Sequence, residues 1–247
     1  MSCPRNVPLL LLHGWGMQGG IWDDLVARLA PRQIFAPDLP GHGGTPMRVP
    51  YTLDRLAAYF LAQVPQVVDL CAWSLGGLIA LEMARTAPQR IRRLVLVGST
   101  PCFVARNDWS CGMPLAVFEG FAGALQQEYE PTLRRFLALQ AQGDRAAREM
   151  LAVLRERLFA RGRPDPRALQ GGLDLLVQTD LRQKLDAVTM PTLVIQGGND
   201  RLVPPCAGQW LASHLPDGRY REMPASGHAP FLSQTGVFVD MLREHLE

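Results

Sequence analysis

The stretch Val67-Val68-Asp69-Leu70-Cys71-Ala72-Trp73-Ser74-Leu75-Gly76-Gly77-Leu78-Ile79-Ala80 constrains the fold more than any other part of the chain. An apolar, β-branched run meets a serine, two glycines follow, and an alanine- and leucine-rich helical pattern continues towards Pro88. That order predicts strand, sharp turn, helix. Such a turn lifts the serine hydroxyl above the end of a sheet and sets the next backbone N–H at a helix N-terminus, where partial positive charge can hold an oxyanion. The G-x-S-x-G form of this turn has glycines two residues before and two after the serine; here Ala72 takes the first place and Gly76 the second. A serine that only caps a helix after a buried strand has much the same local pattern. The rest of the chain has to decide.

The strands found around this stretch alternate with helices. Pro8 to Leu12 reads as a buried parallel strand opening into His13-Gly14-Trp15-Gly16, Ile21 to Ala30 as a helix, Gln33 to Ala36 as a second strand, and Thr52 to Val64 as a helix with Thr52 as its cap. Leu94 to Val97 continues the sheet after the central strand, and the alternation then stops. From about residue 106 to 179 apolar positions recur at helical spacing, with Pro131 to Gln140 one helix and Asp144 to Phe159 another. In the second, Ala147, Met150, Leu151, Leu154 and Leu158 form an apolar stripe with Arg145, Arg148 and Arg155 opposite. The sheet resumes at Thr192 to Gln196, a helix spans Cys206 to His214, Tyr220 to Met223 is a last strand, and a helix closes the chain.

Composition narrows the functional classes. At 247 residues and 47% hydrophobic content the chain can bury a full α/β core. A net charge of +2 gives no global reason for nucleic-acid or membrane binding, although 24 arginines accompany a single lysine. The apolar run from Val7 to Leu12 is too short for a signal peptide core or a membrane span. Cys3, Cys71, Cys102, Cys111 and Cys206 are odd in number, scattered and without C-x-x-C spacing, which argues against a disulfide framework or a zinc site. These readings predict a soluble, cytoplasmic protein without metal or cofactor; separately, a monomer is expected.

Acyl transfer by a serine needs a base to take the hydroxyl proton, an acid to fix the tautomer of that base, and donors for the tetrahedral oxyanion. In the α/β-hydrolase order these follow as serine, aspartate, histidine. Of five histidines only His214, His228 and His245 follow Ser74, and only His228 comes just after a predicted strand, in a glycine-flanked loop. Asp200 directly follows the resumed strand, whereas Asp108, Asp144, Asp165 and Asp174 lie in the insertion and Asp180 and Asp186 precede that strand. The backbone N–H groups of Leu75 and Trp15 are the expected oxyanion donors. Because a histidine base has to be neutral, activity is expected to fall on the acid side.

The motifs His13-Gly14-Trp15-Gly16, Asp38-Leu39-Pro40-Gly41, Trp73-Ser74-Leu75-Gly76-Gly77, Gly198-Asn199-Asp200-Arg201-Leu202-Val203-Pro204 and Gly227-His228-Ala229-Pro230-Phe231 resemble the α/β-hydrolase superfamily. More narrowly, the chain resembles the pimeloyl-[acyl-carrier protein] methyl ester esterases, the BioH-type carboxylesterases of biotin synthesis. That narrower resemblance extends into the insertion, through Ser99-Thr100-Pro101-Cys102-Phe103, Arg135-Phe136-Leu137-Ala138-Leu139-Gln140, Gly171-Gly172-Leu173 and Asp180-Leu181-Arg182-Gln183. It implies an α/β-hydrolase fold: a mostly parallel sheet with helices on both faces and a helical lid inserted after the sixth strand. Residues 1–105 and 180–247 would form the core and 106–179 the lid. The chain departs from the family at Ala72, and it starts almost at the first parallel strand, so the family's short opening antiparallel strands are expected to be missing.

The resemblance further implies hydrolysis of the methyl ester of a pimeloyl group carried on acyl-carrier protein. Trp15, Ser74, Leu75, His228 and the segment Phe136, Leu137, Ala138, Leu139 and Gln140 would contact substrate. Carrier proteins are acidic, and residues 131–167 hold nine arginines against four acidic residues, which makes Arg135, Arg145, Arg148 and Arg155 candidate carrier contacts. Intrahelical pairing on a solvated face explains the same charges equally well. Three other readings stay open: a short-chain carboxylesterase with small ester substrates and no carrier partner, a carbon–carbon bond hydrolase with the same triad, and a non-catalytic small-molecule receptor on the same fold. Haloalkane dehalogenase and epoxide hydrolase relatives carry an aspartate where this chain has Ser74.

Overall fold

A computed structural model describes residues 7–247. Six strands form one parallel sheet: β1 (Leu9–Leu12), β2 (Ile34–Phe35), β3 (Val68–Trp73), β4 (Ile91–Val97), β5 (Thr192–Gly197) and β6 (Gly218–Met223). Their spatial order is β2-β1-β3-β4-β5-β6, so the sequence order turns back beside β1 and β3 occupies the centre. All residues of β1, β3 and β5 are buried, as expected of parallel strands covered on both faces. The polar exception in β3 is Asp69, which Arg32 and Arg92 neutralise at the strand end remote from Ser74.

Helices α1 (Asp23–Leu29), α2 (Leu53–Gln63) and α3 (Leu75–Thr86) connect the first four strands. Thr52 does stand at the N-cap of α2, but its side chain accepts no capping hydrogen bond. Between β4 and β5 come α4 (Leu115–Gln127), α5 (Tyr129–Ala141), α6 (Ala147–Leu158) and α7 (Pro166–Gln178), and after β5 follow α8 (Pro205–His214), α9 (Pro230–Ser233) and α10 (Thr235–Leu246). The insertion therefore follows the fourth strand of the described residues, where the resemblance implied the sixth. Any opening antiparallel strands, and Cys3, fall outside the described residues. The insertion holds four helices where the spacing predicts two with definite bounds. In α6 the predicted faces are observed: Met150, Leu154 and Leu158 are buried while Arg148 and Arg155 are exposed.

One expectation is overturned. Cys111 and Cys206 form a disulfide across a sequence separation of 95. Short-range spacing rules cannot register a partner that distant. The two thiols meet because the segment before α4 docks on α8, where Trp109 also lies edge-on to Trp210 with ring centroids 5.1 Å apart. Met113 N–H donates to Phe103 O (2.8 Å) and Ala105 N–H to Met113 O (2.9 Å), so residues 103–113 form a closed strap on the core. Cys71 and Cys102 remain as buried thiols. Among the described residues no helix is long and apolar enough to cross a membrane.

Candidate active site

Ser74 stands at the junction of β3 and α3 with φ 56° and ψ −121°, and it is the one described non-glycine residue with positive φ. Holding a side chain there costs of the order of 1–3 kcal/mol, so the surrounding contacts must enforce it. They are close. A Cβ on Gly76 would lie 2.7 Å from the His13 carbonyl oxygen and 2.8 Å from that of Leu12, so only glycine lets the start of α3 pass the end of β1. Ala72 is buried within β3 opposite Leu12 and Leu96, and its methyl leaves the turn intact. The departure from the glycine pattern therefore leaves the serine geometry unchanged.

His228 and Asp200 converge on this serine from the loops after β6 and β5. His228 Nε2 lies 2.9 Å from Ser74 Oγ, and His228 Nδ1 lies 2.8 Å from Asp200 Oδ2. A carboxylate can only accept, so Nδ1 carries the proton and Nε2 is left to accept from the serine hydroxyl. Asp200 is held in turn by Gln196 Nε2 (2.8 Å) on Oδ2 and by the backbone N–H groups of Leu202 (2.8 Å) and Val203 (2.9 Å) on Oδ1. Exposures of 5% for Ser74, 4% for Asp200 and 1% for His228 keep bulk water from competing for these bonds. Trp73 Nε1 donates to the His228 carbonyl (2.9 Å), a support that its place beside the serine gave no reason to expect.

Leu75 opens α3, so its N–H belongs to the unbonded first turn and faces the dipole's positive end. The loop after β1 passes directly over the serine, since a Cβ on Gly14 would be 3.1 Å from Ser74 Cβ. Trp15 follows, fully buried, with Nε1 donating to Leu169 O of α7 (2.8 Å) and its ring edge-on to Phe136 at 4.8 Å. Its side chain thus ties the insertion to the core, next in sequence to the Gly14 that passes over Ser74.

A small cavity of about 20 Å³ adjoins Ser74. Phe118 and Phe121 of α4, Phe136 of α5 and Leu173 and Leu176 of α7 line it, with Phe103, Met113 and Leu202 completing the wall. That volume accommodates little more than a water molecule, so entry of an acyl chain requires side chains of the insertion to move. The segment 136–140 divides by helical period. Phe136 lines the cavity; Leu137 is buried in the core; Ala138 and Leu139 line an outer groove of about 530 Å³ between α4 and α5, with Arg135 at its edge. Gln140 contributes its carbonyl, which accepts from the His228 backbone N–H (3.2 Å). Five consecutive helical residues cannot all face one pocket. The phenylalanine pair of α4 and the leucine pair of α7, each spaced i, i+3, are the signal by which the remaining wall could have been found.

The histidines before the serine are structural. His13 Nε2 accepts from the Leu39 N–H (2.9 Å), and burial holds its pKa well below the ordinary value. His42 is likewise buried, and desolvation pushes its pKa down to about 4. Between about pH 6.5 and 4 the unfolded chain then binds a proton at His42 that the folded chain refuses, so stability declines as pH falls through that window, by about 3 kcal/mol at its lower end. We expect the urea midpoint to drop accordingly and the His42 ring resonance to stay unshifted from about pH 7 to 5; titration of that ring near 6.5 would contradict the assignment. Among the described residues no group of three or more His, Cys, Asp or Glu side chains is placed to hold a metal ion.

A sequence profile of the alpha/beta hydrolase family matches residues 9–241. The chain belongs to that family. Among similar curated proteins, the pimeloyl-[acyl-carrier protein] methyl ester esterase of Nitrosomonas europaea is 42% identical over 94% of this alpha/beta hydrolase and 92% of its own length. That of Xanthomonas oryzae pv. oryzae is 45% identical over 95% and 93%. The esterase from Exiguobacterium antarcticum superposes with a TM-score of 0.87 at 20% identity, covering 98% of this chain and 92% of that one. The enol-lactonase from Burkholderia xenovorans LB400 superposes with 0.84 at 23% identity and the same coverage. At such identity these two structures bear on the fold alone.

Proposed function

We propose that the protein is a serine carboxylesterase that hydrolyses the methyl ester of pimeloyl-[acyl-carrier protein] in biotin precursor synthesis. The observation that carries the chemistry is the buried Ser74–His228–Asp200 relay on a strained turn beneath an apolar cavity. His228 takes the proton of Ser74 as Oγ attacks the ester carbonyl, and the backbone N–H groups of Leu75 and Trp15 receive the developing oxyanion. Methanol leaves with the proton returned by His228, and water then attacks the acyl-enzyme through the same base. Asp200 keeps the imidazole in the tautomer that can accept. Residues 1–105 and 180–247 supply this machinery, and 106–179 form the lid that covers it.

The substrate assignment rests on the names of the relatives and on what the lid presents. Six of its nine arginines from 131 to 167 are committed: Arg134 and Arg163 to Glu130, Arg135 to Glu128, Arg157 to Asp23, Arg161 to Asp23 and Asp38, and Arg167 to Asp165. Arg145, Arg148 and Arg155 are exposed and unpaired among the described residues. Exposed ion pairs contribute little, so Arg135 can exchange Glu128 for an acidic partner at small cost.

A carrier docked on these arginines makes kcat/KM for the carrier-bound ester fall steeply between about 20 and about 300 mM salt, where the Debye length shrinks from roughly 20 to roughly 6 Å. A small methyl ester of the same acyl chain is expected to respond little. Charge reversal at Arg148 or Arg155 should reproduce the loss for the carrier substrate alone. Equal salt responses of the two substrates would remove the carrier from the proposal and leave a carboxylesterase of small esters.

A further inference from the structure

The turn between α5 and α6 touches both loops that carry the relay. Asp144 Oδ2 accepts from the Gly227 N–H (2.8 Å), Gln140 O from the His228 N–H (3.2 Å), and Arg145 N–H donates to Ala225 O (2.9 Å). Three bonds thus fall on residues 225–228. On the other side Gly143 O accepts from Asn199 Nδ2 (2.9 Å), next to Asp200. The approach is one of backbone on backbone. Gly143 has φ 82°, and a Cβ there would be 2.9 Å from the Asn199 carbonyl oxygen; a Cβ on Gly227 would be 3.0 Å from that of Gln140. Asp144 is 8% exposed, and its other oxygen accepts from the Ala146 N–H (2.8 Å), so the carboxylate closes its own turn and holds the base loop at once.

We propose that residues 140–146 are a positioning element for the relay, with Asp144 as the positioning residue that fixes the height of His228 over Ser74. The inference rests on the reading of His228 as general base. A charge-assisted bond to Gly227 is stronger and stiffer than a neutral one, and it acts one residue from the imidazole. Displacements of about an ångström cost roughly 100-fold in rate, so seating of the insertion sets kcat even for a substrate that never touches α6. The carboxylate meets neither substrate nor the reacting atoms; it acts through the loop.

The test uses the full chain with a p-nitrophenyl ester as probe. Asp144→Ala is expected to lower kcat roughly 10- to 100-fold with KM within about twofold, while Asp144→Asn, which keeps an acceptor oxygen, restores kcat to within about threefold. The low-field Nδ1–H proton resonance of His228 should broaden or shift in Asp144→Ala and recover in Asp144→Asn. Should Asp144→Ala not fold, Asn199→Ala removes the exposed bond on the Asp200 side and is expected to lower kcat in the same sense by a smaller factor. Wild-type kcat and an unmoved resonance in folded Asp144→Ala, or in Asn199→Ala where it stands in, would overturn the positioning role while leaving the base in place. Retained activity in His228→Ala would instead overturn the reading of the base, and this inference with it.

Discussion

Replacing Ser74 by alanine is expected to abolish ester hydrolysis, with a fall in kcat of about a millionfold, because without Oγ no acyl-enzyme can form. Folding should survive the change. Alanine keeps the Cβ, and the backbone bonds of the turn, Ser74 N–H to Val97 O (3.0 Å) and Gly77 N–H to Ser74 O (2.8 Å), do not involve the hydroxyl. Steady-state hydrolysis of a p-nitrophenyl ester measures the loss, and thermal unfolding followed by circular dichroism shows that the fold is retained. A fluorophosphonate should label wild-type protein at Ser74. Label on another residue, or turnover by the alanine variant, would remove Ser74 from the mechanism.

Loss of the base or its partner comes next in size. Asp200→Asn should lower kcat by about 10⁴-fold, for a reason visible in the hydrogen bonding of the carboxylate. All four of its neighbours donate: Gln196 Nε2 and His228 Nδ1–H on one oxygen, Leu202 and Val203 N–H on the other. An amide brings an NH₂ group into that ring of donors. The conflict eases when His228 gives up the proton on Nδ1 and carries it on Nε2, where it can no longer accept from Ser74. His228→Ala should cost as much or more, since it removes the acceptor itself. Measured on a small ester, near-normal kcat in Asp200→Asn would require another acid.

The sheet and the three relay residues were legible because their signals are local. Buried parallel strands such as β3 and β5 are continuous apolar runs, and Ser74 and Asp200 of the proposed relay sit just past the ends of these two; His228 follows β6, a largely exposed edge strand, and was found by its glycine-flanked loop and its place in the order. What fills the space above the sheet was less so. Helix α4 lacks a clean stripe, since it exposes Leu115 and Val117 as well as burying Phe118; α7 buries a regular stripe through Leu169, Leu173 and Leu176, but Gly171 and Gly172 in mid-helix weaken its helical signal, and the second is packed against Trp15. The cavity wall draws on α4, α5 and α7, on the strap and on the loop after β5, and no period spans them. Asp144 shows the limit in one residue. Its place in the insertion set it aside as the acid of the proposed relay, and nothing in its neighbours in sequence points to Gly227, 83 residues on.

The bond between Cys111 and Cys206 closes a covalent ring of chain that contains α4 to α7 together with β5. Met113 and Leu202, which both line the cavity, lie just inside its two ends. The root of the insertion is then covalently tied to α8, so movement that admits an acyl chain has to come from the helices further along the ring. Phe121, which lines both the cavity and the groove between α4 and α5, lies on the helices that this tether leaves free to shift.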